Sequence, residues 1–408
     1  MNRAATFLLA GVLATAACGG GDTNGDADPG VDSGAGIPAH PKDAGTKPPA
    51  DATVPPNPGH SDAGSQAQGG KDGGAPVSSS DAGGATADAA PTKPAHFDVT
   101  FYVMADSHAD PVPEDDLLAQ SHAIDSVAQS GQWPAQIGGT PTGFLGGSIA
   151  APRGVVVCGD ITGWGTAPTE LPMFRSYFEM GNSASSIHYP AYVGLGNQYI
   201  DTADRDDATA TAYRATYWSY IDSRYQGPSA PIPVTNYDSA SHSYSWDWGG
   251  VHLVMLHRFA GDTEYGLPSA LPFLKSDLAA HASDGRPVFL FHHYGMDAFG
   301  TNGQWWSQTD RDAYRAELTG YHVSGDFTGH THYAMQYSWA GLRVFQANNA
   351  KAEIDAGNND GNGSFAIVRV TDTQLDVVTC RWTDDHGGYE LIGPFFSGPS
   401  DVGAAPSP

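Results

Sequence analysis

The chain has 408 residues, with 19 Lys and Arg against 45 Asp and Glu, and a formal net charge of −26. From residue 96 onward it carries 14 basic and 35 acidic residues. That field repels polyanions and offers no basic stripe for counterion release, so no nucleic-acid partner is expected; the charge itself serves solubility or tolerance of salt.

Arg3, the apolar run Ala4 to Ala14 and the small residues after it predict an export signal over residues 1–17. The run is too short to span a bilayer. Thr15-Ala16-Ala17-Cys18 resembles a bacterial lipoprotein box, with Thr15 where Leu is commonest. The box implies lipidation of Cys18 and an exported chain held to the cell envelope by a membrane anchor. Gly19 in place of Asp leans towards the outer membrane or cell surface. Ordinary cleavage near Ala17 with full secretion is the alternative. No aromatic residue lies between Phe7 and Phe97, and the Gly, Ala, Asp and Pro-rich stretch over 18–95 cannot bury enough apolar surface to offset chain ordering. A disordered tether is expected there. Its Asp-Ala-Gly triplets at Asp43, Asp62 and Asp81 lack the apolar positions a solenoid needs.

Residues 96–400 are expected to fold, with a disordered tail at 401–408. Val99 to Met104 reads as a strand and Pro113 to Gln129 as a helix, with Leu117, Leu118, Ile124 and Val127 at helical spacing. Gly154 to Cys158 is an apolar run suited to a strand covered on both faces. Glu170 to Met180 predicts a helix, Tyr192 to Leu195 a strand, and Ala203 to Tyr225 an inserted helix. His242 to Trp248 and Val251 to Leu256 predict a hairpin about Gly249-Gly250. Then come a helix over Leu271 to His281, a strand over Val288 to Phe291, a helix over Arg311 to Leu318 and a strand over Tyr321 to Gly325. Leu342 to Gln346, Phe365 to Val370 and Leu375 to Arg381 are expected to finish the chain as antiparallel strands. The pattern predicts an α/β fold: two mixed sheets packed together with flanking helices, a four-layer αββα sandwich after the tether. Cys158 and Cys380, each ending a Val-rich run, are expected to be buried free thiols.

Five segments put metal-ligand side chains just past strand ends: Asp106-Ser107-His108, Gly159-Asp160, Gly196-Asn197, His292-His293 and Gly329-His330-Thr331-His332. Ligands bind at that carboxyl edge in open α/β sheets. Imidazole with carboxylate suits Zn, Fe or Mn rather than Mg or Ca, and a pair of such ions serves displacement at phosphorus. Taken singly the segments are ambiguous. Asp106 could be a solvated turn acid, Asp160 could cap a helix, and Asn197 could be a turn residue. His330 and His332, two apart after Gly329, form the most specific piece. His292 and His293 cannot both face one way from an extended segment.

The ordered set D-x-H, G-D, G-N-x, H and G-H-x-H is similar to the calcineurin-like metallophosphoesterases, the group that includes purple acid phosphatases. The likeness runs from about Thr100 to His332, and the later strands would fit that family's second sheet. It implies a dinuclear centre of divalent or trivalent Fe, Mn or Zn that hydrolyses small phosphate mono- or diesters. One metal would take Asp106, His108, Asp160 and His332; the other would take Asp160, Asn197, His330 and either His293 or His292. Phe291-His292-His293-Tyr294-Gly295 looks like the family's His-Tyr-Pro version, which favours His293. His330 and Asn197 would also stabilise charge at phosphorus.

The family usually has His after Gly-Asn, where this chain has Gln198. Gln198 can hydrogen bond a phosphate oxygen but cannot deliver a proton, which is typically worth roughly 10²–10⁴-fold in rate. The departure favours good leaving groups or another donor such as His292 or His242. It also supports an alternative: a surface binding protein of the same fold without turnover, with Trp164, Trp246, Trp248, Trp305 and Trp306 as a sugar or lipid-headgroup platform.

Overall fold

The computed structural model describes residues 96–110, 115–130, 150–163, 169–184, 186–200, 207–296, 305–347 and 362–400. The export signal, Cys18, the tether, Trp164 and the tail at 401–408 lie outside the described residues.

In chain order the elements are β1 (Asp98–Met104), α1 (Asp115–Ser130), β2 (Pro152–Val157), α2 (Glu170–Phe178), β3 (Ala191–Val193), α3 (Asn197–Ile200) and α4 (Asp207–Tyr225). There follow β4 (Asn236–Tyr237), β5 (Tyr244–Trp248), β6 (Val251–Met255), α5 (Leu271–His281), β7 (Val288–Phe291), α6 (Gln308–Glu317) and β8 (Val323–Thr328). The last are β9 (Met335–Trp339), β10 (Leu342–Gln346), β11 (Ser364–Thr371), β12 (Gln374–Trp382) and β13 (Tyr389–Pro399).

The strands form two mixed sheets. The first has the order β13-β12-β11-β1-β2-β3, and the second β4-β5-β6-β7-β8-β10-β9. Strands β1, β2 and β3 are parallel, as are β6, β7, β8 and β10. Alternation along β1 sorts the two faces of the first sheet. Phe101 enters the gap between the sheets, where Trp248, Phe289, Phe291 and Phe327 meet it at ring-centroid distances of 5.5, 5.6, 6.2 and 6.4 Å. Tyr102 faces the other way, against Tyr189 and Phe365. Leu117 and Ile124 of α1, with Phe174 and Phe178 of α2, join this larger apolar core. A second cluster packs Leu274 and Leu278 of α5 and Tyr314 of α6 on Val254, Leu290 and Val344. Helix, sheet, sheet and helix are thus stacked as the alternation predicts. Helix α4 is fastened by Tyr225, whose hydroxyl donates to the Ala191 carbonyl and accepts from the Val193 amide.

The late strands depart from expectation. Strand β10 is not antiparallel to its successors: it lies parallel to β8 in the second sheet and forms a hairpin with β9. Strands β11, β12 and β13 do not join that second sheet but extend the first from β1. Strand β13 was not among the expected elements; it lies at the sheet edge, where proline is tolerated within a strand. Cys158 and Cys380 are buried free thiols.

Candidate metal centre

Both parallel strand sets end at one place. Past β1 come Asp106 and His108, past β2 Asp160, past β3 Asn197, past β7 His293, and past β8 His330 and His332. Two groups of ligand-type side chains form there, Asp106 with His108 and His332, and Asp160 with His293 and His330; within each, the ligand atoms lie within 4.8 Å of one another.

Turning the chain sharply after each strand costs backbone strain. Asp106, His108, Asp160, His330 and His332 all adopt positive φ, at 50°, 44°, 45°, 75° and 59°. For residues other than glycine this region costs ~1 kcal/mol or more each, and Asp and His are among those that tolerate it. Two glycines are required by close approach. A Cβ on Gly196 would lie 2.1 Å from Asp160 Oδ1, and one on Gly329 would lie 2.6 Å from Asp106 Oδ2.

Asp160 reaches both groups: its Oδ2 is 3.1 Å from His293 Nε2 and 4.0 Å from His108 Nε2. Asp106 Oδ1 lies 3.7 Å from both His108 Nε2 and His332 Nε2. Asn197 Oδ1 is 2.8 Å from His293 Nε2. Two donors held by one ion at about 2.1 Å each can be at most about 4.2 Å apart, and all these pairs meet that limit. Asp106 Oδ1, His108 Nε2 and His330 Nε2 are buried without hydrogen-bond partners. A buried carboxylate oxygen and two imidazole nitrogens left so are costly, and a cation in each group would satisfy them, one at Asp106 and His108 and the other at His330. The donor set fits two borderline transition-metal ions.

The remaining polar atoms of these residues orient them. His293 Nδ1–H donates to the Cys158 carbonyl at 2.9 Å, which turns its Nε2 towards Asp160 and Asn197. The Gln198 amide donates to Asp160 Oδ1 at 3.0 Å, and the His330 amide to Asp106 Oδ2 at 2.9 Å. Burial opposes ionisation of Asp160, but His293 and His108 outweigh it and hold the carboxyl well below the usual range. Burial likewise opposes the charged form of His293, yet Asp160 and Asp106 raise it above the ordinary imidazole value. A bound cation would displace that proton. Burial, with the His293 charge, drives His330 well below the ordinary value, leaving it neutral.

His292 is not in this cluster. It turns to the outer face of the second sheet, its Nε2 2.7 Å from Asp326 Oδ1 but out of line for a hydrogen bond, with Trp306 and Tyr314 edge-on to its ring. His242 stacks on Trp218 and pairs with Asp222 at 2.6 Å. The aromatic platform of the alternative reading is not formed: Trp246, Trp248 and Trp306 are buried, as core packing requires. Trp305 alone among the described four is half-buried at the site, its ring centroid 4.1 Å from that of His330.

The sequence reading missed His257, at the end of β6. The Leu195 amide donates to its Nδ1 at 3.2 Å, its Nε2–H donates to the His242 carbonyl at 2.8 Å, and its own carbonyl accepts the His293 amide at 2.7 Å. Burial pushes it down to about 4, so it is neutral and ties the ends of β3 and β7 together. An apolar run followed by His was the available signal, as for the other segments.

No family model and no curated protein matches the sequence. Among solved structures, the chain is similar to a dimetal phosphatase from Danio rerio, at 11% identity over 74% of this chain and 99% of that one, with a TM-score of 0.48. It is similar to GAP50, described as the anchor in the inner membrane complex of Plasmodium, at 12% identity over 74% and 89% with a TM-score of 0.46. A structure of PhoD aligns at 10% identity over 72% of each chain, with a TM-score of 0.43.

Proposed function

We propose that this chain is a two-metal phosphoester hydrolase acting on small mono- or diesters. The observation that carries the reading is the pair of three-residue His/Asp groups with Asp160 between them and three buried ligand atoms otherwise unsatisfied. Asp106, His108, Asp160 and His332 would hold one ion, and Asp160, Asn197, His293 and His330 the other. Bound Zn, Fe or Mn ions would supply positive charge to phosphoryl oxygens and lower the pKa of water towards neutrality. The protein's share is placement. Cys158 fixes the His293 tautomer, the Gln198 and His330 amides hold the two carboxylates, and Asn197 contributes an oxygen without adding negative charge. The Gln198 side chain would hydrogen bond a phosphoryl oxygen and leaves the departing oxygen unprotonated. We also propose export and anchoring through Cys18, on the lipoprotein-like box.

Metal analysis with steady-state kinetics on an aryl phosphate tests the reading. Wild type is expected to bind two transition-metal equivalents, and Asp160→Ala to lose bound metal and at least ~100-fold in kcat/KM. Gln198→His is expected to raise turnover of alkyl esters, by up to ~10²-fold. Absence of metal together with wild-type behaviour of Asp160→Ala would sink the proposal. Bound metal without turnover, and no gain from Gln198→His, points to the binding protein instead.

A further inference from the structure

We propose that Trp305 is a specificity-determining residue and that the preferred substrates are aryl phosphoesters, in which the flat ring is the leaving group. The inference rests on the phosphoester reading and extends it to a substrate class.

Two independent features converge on that class. The first is Gln198, which cannot deliver a proton: an aryloxide departs unprotonated far more readily than an alkoxide, so a site in which residue 198 gives no acid assistance favours acidic leaving groups. The second is the placement of Trp305. Its ring stands nearly perpendicular to His330, at 88°, and lies 5.6 Å from the Tyr294 ring, which is itself 4.6 Å from His330. The indole therefore belongs to the wall of the centre. It stays half-buried while its neighbour is 2% exposed. That neighbour anchors the chain beside it. The Trp306 indole N–H donates to the Tyr294 and Gly295 carbonyls at 3.1 Å each, and its ring stacks on Phe259 at 5.1 Å. Ser307 then caps α6 by accepting from the Asp310 amide. The Trp305 ring is thus packed against His330 and Tyr294 before a substrate arrives, which lowers the ordering cost of stacking on it. A ring stacked there lies within one side chain of whatever His330 contacts. The acidic field of the chain favours such a small ester over a polyanion.

The test separates stacking from leaving-group acidity. Metal-loaded wild type, Trp305→Leu and Trp305→Phe are assayed on phenyl phosphate and on hexafluoroisopropyl phosphate, an alkyl ester of a comparably acidic alcohol, with metal content measured for each. Wild type is expected to favour the phenyl ester by about tenfold in kcat/KM, the size of one aromatic stacking contact. Trp305→Leu should abolish most of that ratio, and Trp305→Phe should keep it within about threefold. An equal loss on both esters, or an unchanged ratio, would overturn the proposal, the former making the indole only a prop for His330. If metal-loaded wild type turns over neither ester, the hydrolase reading fails separately. Calorimetric titration with phenylphosphonate then decides the subsite: weaker binding by Trp305→Leu supports it, and equal binding overturns it.

Discussion

At the scale of single residues, the centre is built from strained positions and forced glycines. Five of the seven proposed ligands sit at positive φ, so the backbone is spent on aiming side chains inward. Gly196 shows how little room is left. In Gly196→Ala, the new methyl would start 2.1 Å from Asp160 Oδ1 and push the shared carboxylate away from both groups. Metal affinity should fall at least ~10-fold, as read by chelator competition. Gly181→Ala is the comparison, because its φ is 78° but a Cβ there meets nothing within 4 Å. It should cost about 1 kcal/mol of stability and leave metal affinity alone. Equal metal loss in both variants would refute the steric account. The convergence of Asp106, Asp160, Asn197, His330 and His332 was legible because each follows an apolar run at a strand's carboxyl end. The residues alone did not choose between His292 and His293, since that depends on which side of β7 faces the first sheet; only the family resemblance favoured His293. His257 was missed because it acts through hydrogen bonds to neighbours that only the fold supplies.

Among elements, the parallel strands were readable from unbroken apolar runs such as Val155 to Val157, and the β5–β6 hairpin from Gly249-Gly250. Pairing of the late strands was not, because β10 and β11 have similar local sequences while only their partners differ. Two-residue β4 is held by polar contacts that no periodicity announces. His252 on β6 bonds Asp247 of β5 through Nδ1 at 2.7 Å and Asp277 of α5 through Nε2 at 2.8 Å. Asp277 also accepts from Asn236 of β4 and Ser245 of β5. Burial disfavours the His252 charge, but the two carboxylates outweigh it and raise the imidazole above its ordinary value. Burial opposes the Asp277 charge, and His252 overrides it, lowering that carboxyl. The raised imidazole contributes stability in full below about pH 6.5, lost as pH rises through its folded value. The lowered carboxyl contributes above about pH 4, lost as pH falls through its folded value. His252→Asn should therefore destabilise by about 3 kcal/mol at pH 6, with a gap from wild type that shrinks at pH 9. Urea unfolding at both pH values checks it, and a gap independent of pH would mean that packing, not charge, dominates.

For the whole molecule, the same acidity that excludes polyanions also opposes the proposed substrates, because phosphoesters are anions. Residues 96–408 carry 35 acidic and 14 basic side chains, and this field extends about 30 Å at 10 mM salt but only about 8 Å at 150 mM. The two ions would act at short range, within the cluster of strand ends, whereas the excess of carboxylates acts on approach. Raising salt from about 10 to 150 mM should therefore increase kcat/KM, at least about twofold for a dianionic monoester and less for a monoanionic diester. The comparison of the two esters separates screening from any general effect of salt on folding, which would move both alike. A fall in kcat/KM, steeper for the dianion, would show instead that the positive charge of the centre reaches beyond the acidic surface and draws substrate in.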